Sequence, residues 1–281
     1  MHFSSPHSRS SLFSDLSLAE PLLRKLPEDY IRPTEIQARA IPVVYNGEDV
    51  ILGSETGSGK TAAFVLPILS RIQEKESHHR GPHTLVLSPT RDLALQTGKV
   101  FETFNTSKHT QIVNCFGGLN SDRIVSDLSE ADTCQIVTGT LGTVASLVRK
   151  GHLKLHNLKS LIFDEADLLL NGEERRRVGS IVAACPASRQ TLMVSASLRY
   201  LPQSAYQYFA KQPIEIHCQT LQIPNHIEHI LFETNHIRQK FSVLMHVLQT
   251  TEMQKAIIFL NARSWTNSCY QAMLRLGLGA T

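Results

Sequence analysis

Several things are scarce in this 281-residue chain, and each scarcity excludes something. Cysteine occurs five times, at positions 115, 134, 185, 218 and 269, with no CxxC spacing. An odd, scattered set does not make a disulfide framework; it fits buried structural thiols in a reducing compartment. No stretch approaches the run of about 18 apolar residues that a membrane helix needs. Charge of neither sign dominates: 28 basic and 25 acidic side chains leave a formal net charge of +3. So mild an excess neither establishes nor excludes a nucleic-acid partner, because a local patch matters more than a total. The first dozen residues lack acids and are rich in serine (Ser4, Ser5, Ser8, Ser10, Ser11), with Arg9 among them. Transit peptides share that bias but usually carry more arginine, so a disordered terminus over 1–12 is expected, with organelle targeting the weaker alternative. No internal repeat is visible.

What is present is hydrophobic (42% of residues) and periodic. Residues 13–30 carry Leu16, Leu18, Leu22, Leu23 and Leu26 at helical spacing, ended by Pro27. Then short apolar runs alternate with helical stretches. Runs at 50–53, 84–87, 111–116, 135–138, 158–163 and 191–194 read as buried strands, with helices over 61–72 (Pro67 marking a kink), 91–104 and 122–128, and further helices after Gly142 and after Asp167. Residues 74–83 read as a polar loop. Residues 198–217 read as a closing helix and strand. Continuous apolar strands joined by helices imply a parallel sheet covered on both faces, an α/β fold. In such sheets ligands bind beyond the carboxyl ends of the strands.

Residues 218–235 read as a linker that includes a strand-like stretch, 228–233. A second domain then begins over 236–281, with a helix at 237–249, a buried strand at Ala256–Leu260 and a helix from Trp265 to about Leu276. One such set cannot readily bury its own faces, so this domain is expected to be incomplete and the chain truncated. His226 and His229 form an H-x-x-H pair near Cys218, but no fourth ligand lies at usable spacing, and alternation in a strand explains the pair equally well.

The chemistry sits at the predicted strand ends. After the first run comes Ser54-Glu55-Thr56-Gly57-Ser58-Gly59-Lys60-Thr61. Gly57 and Gly59 allow backbone angles other residues resist, so successive N–H groups can turn inward at a helix N-terminus and cradle a polyphosphate. Lys60 would reach the β/γ-phosphates and the Thr61 hydroxyl would ligate Mg²⁺. An incidental lysine in a glycine-rich turn would not require strand, turn, Gly-Lys-Thr and helix in this order. The usual loop begins with glycine, where Ser54 stands. Asp164, at the tip of another run, supplies the second acidic element for Mg²⁺, and Glu165 beside it can polarise an attacking water. Gln37, just ahead of the loop, offers a donor and an acceptor to an adenine edge. Hydrolysis of a nucleoside triphosphate follows. The charge run Glu173–Arg177 reads as a solvated helix face.

Taken in order, these segments resemble the DEAD-box ATP-dependent RNA helicases. The resemblance rests on Phe13, the stretch ending in Gln37, the phosphate loop, Pro89-Thr90-Arg91-Asp92-Leu93-Ala94, Gly117-Gly118, Asp164-Glu165-Ala166-Asp167, Ser195-Ala196-Ser197 and Ile258-Phe259-Leu260-Asn261. It spans residues 13 to 281. It implies a RecA-like domain over 13–217, with an adenine-reading segment at 13–41, followed by an incomplete second one. It implies ATP and Mg²⁺ as ligands, the adenine being read by Gln37 with Phe13 or Tyr30 packed near the base. It further implies that Pro89, Thr90, Arg91, Gly117, Gly118, Thr140 and Gly142 face an RNA backbone without reading sequence. Ser195 and Ser197 would couple hydrolysis to strand separation. An intracellular setting, nuclear or cytoplasmic, goes with that activity.

Some positions depart from the pattern: Asp29 for glycine, Asp92 for glutamate, Ser197 for threonine, and Leu141 and Thr143 for the proline and arginine of a Thr-Pro-Gly-Arg motif. After Asn261-Ala262-Arg263 the later second-domain motifs, including an arginine finger worth about 10³–10⁵ in rate, are missing, so weak ATP binding and little unwinding are expected of these residues alone. Two other readings stay open. One is a non-enzymatic module that binds ATP, RNA or a protein partner; the other is an unrelated phosphate-loop enzyme such as a small-molecule kinase.

Overall fold

The computed structural model describes residues 12–28, 30–74, 81–129, 133–170, 174–196, 201–209, 211–218, 228, 230–251, 253–262, 264–275 and 277. The chain divides into two compact units, Met1–Thr220 and Leu221–Thr281. Asp29, Glu173, Ser197, His226, His229 and Arg263, singled out in the sequence, lie outside the described residues.

In the first unit a 3-10 turn at Phe13–Asp15 and helices α1 (Glu20–Leu23) and α2 (Glu35–Tyr45) precede β1 (Val50–Ser54). There follow α3 (Lys60–Glu74), β2 (Gly81–Ser88), α4 (Arg91–Phe104), β3 (Thr110–Cys115), α5 (Ser121–Ser129), β4 (Cys134–Thr140) and α6 (Leu141–Arg149). Then come β5 (Ser160–Asp164), α7 (Ala166–Leu169), α8 (Glu174–Ala183), β6 (Gln190–Ser195), a 3-10 helix at Gln203–Tyr208 and β7 (Ile214–Cys218). The seven strands form one parallel sheet in the order β3-β4-β2-β5-β6-β1-β7.

Alternate residues of each strand point to opposite faces, and both faces are apolar. Val50 and Leu52 of β1 join a core with α1 to α4, whereas Ile51 between them joins the opposite core with α5 to α8. The fold is therefore α/β with a parallel sheet covered on both faces, as the alternating runs predict, and RecA-like, as the resemblance implies. The helix α3 is buried almost all round from Ala62 to Ser70, because it lies between the sheet, α2 and α4. It continues helical through Pro67.

Three local expectations change. Residues 13–30 are not one helix but a 3-10 turn and a four-residue helix that starts beside Pro21; the apolar side chains reach the same core from broken backbone. The strand β2 begins at Gly81, inside the stretch expected to be loop, because Gly81 and Pro82 already pair with Cys134 and Gln135 of β4. The helix expected after residue 198 is a 3-10 helix.

The second unit contains α9 (Ile237–Thr250) and α10 (Ser264–Arg275). Here the sequence reading is corrected more deeply. Ala256–Leu260 is neither buried nor a strand: Ile257 is 82% and Phe259 89% exposed. The residues described between 228 and 233 are likewise irregular, with Leu231 exposed. An apolar run becomes a strand only where a neighbouring strand takes its backbone hydrogen bonds, and among the described residues of this unit there is none.

Candidate functional site

The strand order brings three chain segments to one edge of the sheet. β6 lies between β1 and β5; Gly53 pairs with Ser195, and Asp164 pairs with Val194. The carboxyl ends Ser54, Ser195 and Asp164 are thus adjacent across three strands.

From Ser54 the chain turns through Gly57 (φ +83°) and Gly59 (φ +91°) into the N-terminus of α3. Both angles lie in the left-handed region that favours glycine. Gly59 has a second constraint, since a Cβ there would stand 2.4 Å from Gln37 Nε2. The Gln37 amide accepts from Thr34 N (2.9 Å) and donates to Gly59 O (3.2 Å), and Thr34 Oγ1 donates to Ser58 O (2.8 Å). The first turn of α2 is therefore fastened to the loop. Gln37 retains one N–H and one lone pair, still a donor–acceptor couple. The Ser58 hydroxyl is buried with no hydrogen-bond partner in the protein, a polar group that an anionic oxygen in the loop would satisfy.

Lys60 is 8% exposed, and its ammonium donates to the carbonyls of Ser54 and Glu55 at the loop's mouth. Burial lowers its pKa, while the charges of Glu165, Asp164, Asp167 and Glu55 act the other way. Asp164 is also buried, and desolvation is the largest cause lifting its carboxyl to about 6; Glu165 adds to the rise, while a hydrogen bond from Thr97 and the charge of Lys60 oppose it. Glu165 is the one described non-glycine residue in the left-handed region (φ +53°), a conformation that costs about 1–3 kcal/mol. Asp167, in α7, accepts from Ser195 Oγ at 2.6 Å, which links the segment after β5 to the tip of β6.

Phe13 is buried and stacks on Tyr30 with ring centroids 5.5 Å apart; Tyr30, half-buried, also meets Phe104. Tyr30, not Phe13, is the ring of this trio with an accessible surface. Thr61 is half-buried at the start of α3.

A second group lies at the ends of β2, β3 and β4. Thr90 caps α4 through Leu93 N. Arg91 lies over the Phe116 ring (5.7 Å) and against Gly118, where a Cβ would come within 2.8 Å of its guanidinium. Pro89-Thr90-Arg91 and Gly117-Gly118 are thereby joined. Thr140 stands at the N-terminus of α6, with its hydroxyl 3.3 Å from that of Thr143, and nothing lies within 4 Å of a Cβ on Gly142.

Sequence reasoning missed two members of the first group. Thr97, on α4, donates to Asp164 Oδ2, and Thr34 ties α2 to the loop. The first carries no sequence signal, being a threonine inside a helix. The second does: Thr34 and Gln37 form a Thr-x-x-Gln capping box.

Comparison with known proteins follows the same lines. The profile of the family described as DEAD/DEAH box helicase matches residues 34–203. The chain is 34% identical over 269 residues to the ATP-dependent RNA helicase DeaD of Escherichia coli K12, covering 94% of this chain and 42% of that protein. It is 34% identical over 240 residues to the probable ATP-dependent RNA helicase ddx27 of Dictyostelium discoideum, covering 83% and 30%. Over 256 residues it is 32% identical to the RNA helicase CrhR of Synechocystis, covering 90% and 51%. The chain thus spans between 30% and 51% of the length of these relatives. Among solved structures, a DEAD box protein from the hyperthermophile Methanococcus jannaschii superposes with a TM-score of 0.67 at 28% identity, covering 95% of this chain and 70% of that one.

Proposed function

The chain belongs to the DEAD/DEAH box helicase family, and from that premise we propose that its first unit binds ATP with Mg²⁺ and an RNA backbone, and that hydrolysis of the one serves separation of short duplexes of the other. The observation that carries the reading is the strand order β5-β6-β1, which sets the glycine loop with Lys60 after β1 and the Asp164-Glu165 pair at the tip of β5 on either side of a single strand.

Backbone N–H groups of residues 55–61 take the phosphates at the N-terminus of α3, where the helix dipole favours negative charge. Lys60 leaves its two loop carbonyls for phosphate oxygens. Thr61 and Asp164 would hold Mg²⁺. The ion would neutralise charge that develops on the phosphates. Glu165, set by its left-handed backbone, orients a water and takes its proton. Gln37 reads adenine with its remaining donor and acceptor while bonded to Gly59, so base recognition and loop geometry are mechanically one unit. Tyr30, backed by Phe13, packs near the base. Ser195, bonded to Asp167, and Ser197 transmit the state of the phosphates to the RNA side. Pro89, Thr90, Arg91, Gly117, Gly118, Thr140 and Gly142 line that side; their place at the ends of three neighbouring strands supports the assignment.

The test is titration of the 281-residue protein with a fluorescent ATP analogue, with and without Mg²⁺. Weak but Mg²⁺-supported binding that is lost in Lys60→Ala is the expected result; binding indifferent to Lys60→Ala would overturn the site. A second reading, binding without turnover, is favoured by one feature. The described residues of the second unit form two helices and no strand, so they offer no sheet edge of their own. RNA-stimulated phosphate release by this chain would rule it out.

A further inference from the structure

The arginine run Arg175–Arg177 reads in the sequence as a solvated face, but the fold gives it a neighbour. The helices α8 and α6 pack together, and beside them runs a groove of about 530 Å³. Gly142 lies at its α6 end, and Ser146, Arg149, Arg176, Arg177 and Ser180 line it. No carboxylate and no aromatic ring is among the lining residues. Arg177 is bonded to Glu174 at 2.6 Å, whereas Arg149 and Arg176 have no carboxylate partner among the described residues. Two guanidinium groups from different helices, neither with a carboxylate partner among the described residues, therefore line one cleft.

We propose that this groove is a phosphate-backbone subsite for RNA that continues from the Thr140–Gly142 turn along α6 to Arg149 and Arg176; the inference rests on the RNA-binding reading given above. Three observations converge on it. Gly142 belongs to both the turn and the groove, so the two surfaces are continuous, and its bare backbone at the N-terminus of α6 leaves room for an anion to approach. Thr143 stands where the resemblance calls for a charged anchor, and the groove supplies the Arg149 guanidinium within two turns of the same helix, with Arg176 added from α8. Guanidinium forks match phosphate oxygens, and a cleft without rings or carboxylates can hold a backbone but cannot read bases. Contacts made here are independent of sequence and strongly dependent on salt.

The experiment measures anisotropy of a labelled oligouridylate against the 281-residue protein over a range of salt concentrations. Variants are Arg149→Ala/Arg176→Ala and the charge-keeping Arg149→Lys/Arg176→Lys. The alanine pair should bind about tenfold more weakly and lower the slope of log affinity against log salt by about one to two, because each lost phosphate contact removes close to one unit. The lysine pair should keep the slope. An alanine pair with wild-type affinity and slope, beside a wild-type protein that binds the RNA, overturns the groove and leaves the RNA reading standing. A wild-type protein that binds no RNA overturns the RNA reading itself. Binding of the ATP analogue by each variant reports that the fold and the loop are intact.

Discussion

Thr97 Oγ1 donates a hydrogen bond to Asp164 Oδ2 at 3.1 Å, joining the buried face of α4 to the tip of β5. A donor at that point favours the ionised carboxylate and fixes which way it faces. Thr97→Val replaces the hydroxyl by a methyl of similar size, so the helix keeps its packing and loses only the donor. Hydrogen bonds to charged groups contribute about 1.5–3 kcal/mol. The Mg²⁺-supported affinity for a fluorescent ATP analogue should therefore fall roughly ten- to a hundredfold, and Thr97→Ser should recover most of it. Equal affinities in all three proteins would show that Asp164 is positioned by something other than α4.

The same carboxyl predicts a pH dependence. Burial lifts Asp164 from 3.8 to about 6 in the folded chain. Between those values the native state holds a proton that the unfolded state has released, so this group's contribution to stability is present at low pH and is lost as pH rises through about 6. Metal binding needs the opposite form. Mg²⁺ with nucleotide should raise the melting temperature more at about pH 7 than at about pH 5, and binding near pH 6 should release protons. Titration calorimetry in two buffers of different ionisation enthalpy measures that release; none at any pH would mean that Asp164 does not hold the ion.

How much of this was legible beforehand varies with the kind of interaction. Buried parallel strands advertise themselves as unbroken apolar runs: Val50–Leu52 and Thr191–Val194 are visible in the sequence because both faces of the sheet are covered. The candidate site was legible where backbone conformation restricts residue type, as in Gly57-Ser58-Gly59-Lys60. It was not legible where side chains meet only through tertiary packing. Nothing in the sequence pairs Thr97 with Asp164, 67 positions apart, or Arg91 with Phe116 and Gly118. The run Ala256–Leu260 has strand composition, yet partners, not composition, decide whether a strand forms.

Gly59 and Gly57 differ in a way that can be measured. Both have positive φ, but a Cβ at Gly57 meets nothing within 4 Å, whereas one at Gly59 meets the Gln37 amide. Gly57→Ala should lose only the backbone preference, about 1 kcal/mol. Gly59→Ala should lose more, with nucleotide affinity falling in parallel, because Gln37 must leave its bond to Gly59 O. Adding Gln37→Ala to Gly59→Ala should then cost less than the sum of the single changes, a coupling of about 0.5–3 kcal/mol in a thermal or denaturant cycle. Strict additivity would mean that the amide and the loop are independent.

The second unit makes the last prediction. Ile257 and Phe259 stand exposed in a stretch without helix or strand, as do Ile230 and Leu231. Backbone amides without a ladder exchange with solvent through small local openings, whereas those of a central strand need much larger ones. Hydrogen exchange over 253–262 should therefore be fast while β1 and β6 stay protected for far longer. The exposed apolar side chains also form a surface on which chains can associate. Ile257→Ser with Phe259→Ser should reduce self-association seen by light scattering, yet leave the melting of the first unit unchanged within about 0.5 kcal/mol, as expected for surface positions. Slow exchange over 253–262, or destabilisation of the first unit by the serine pair, would mean that this run is packed against a partner after all.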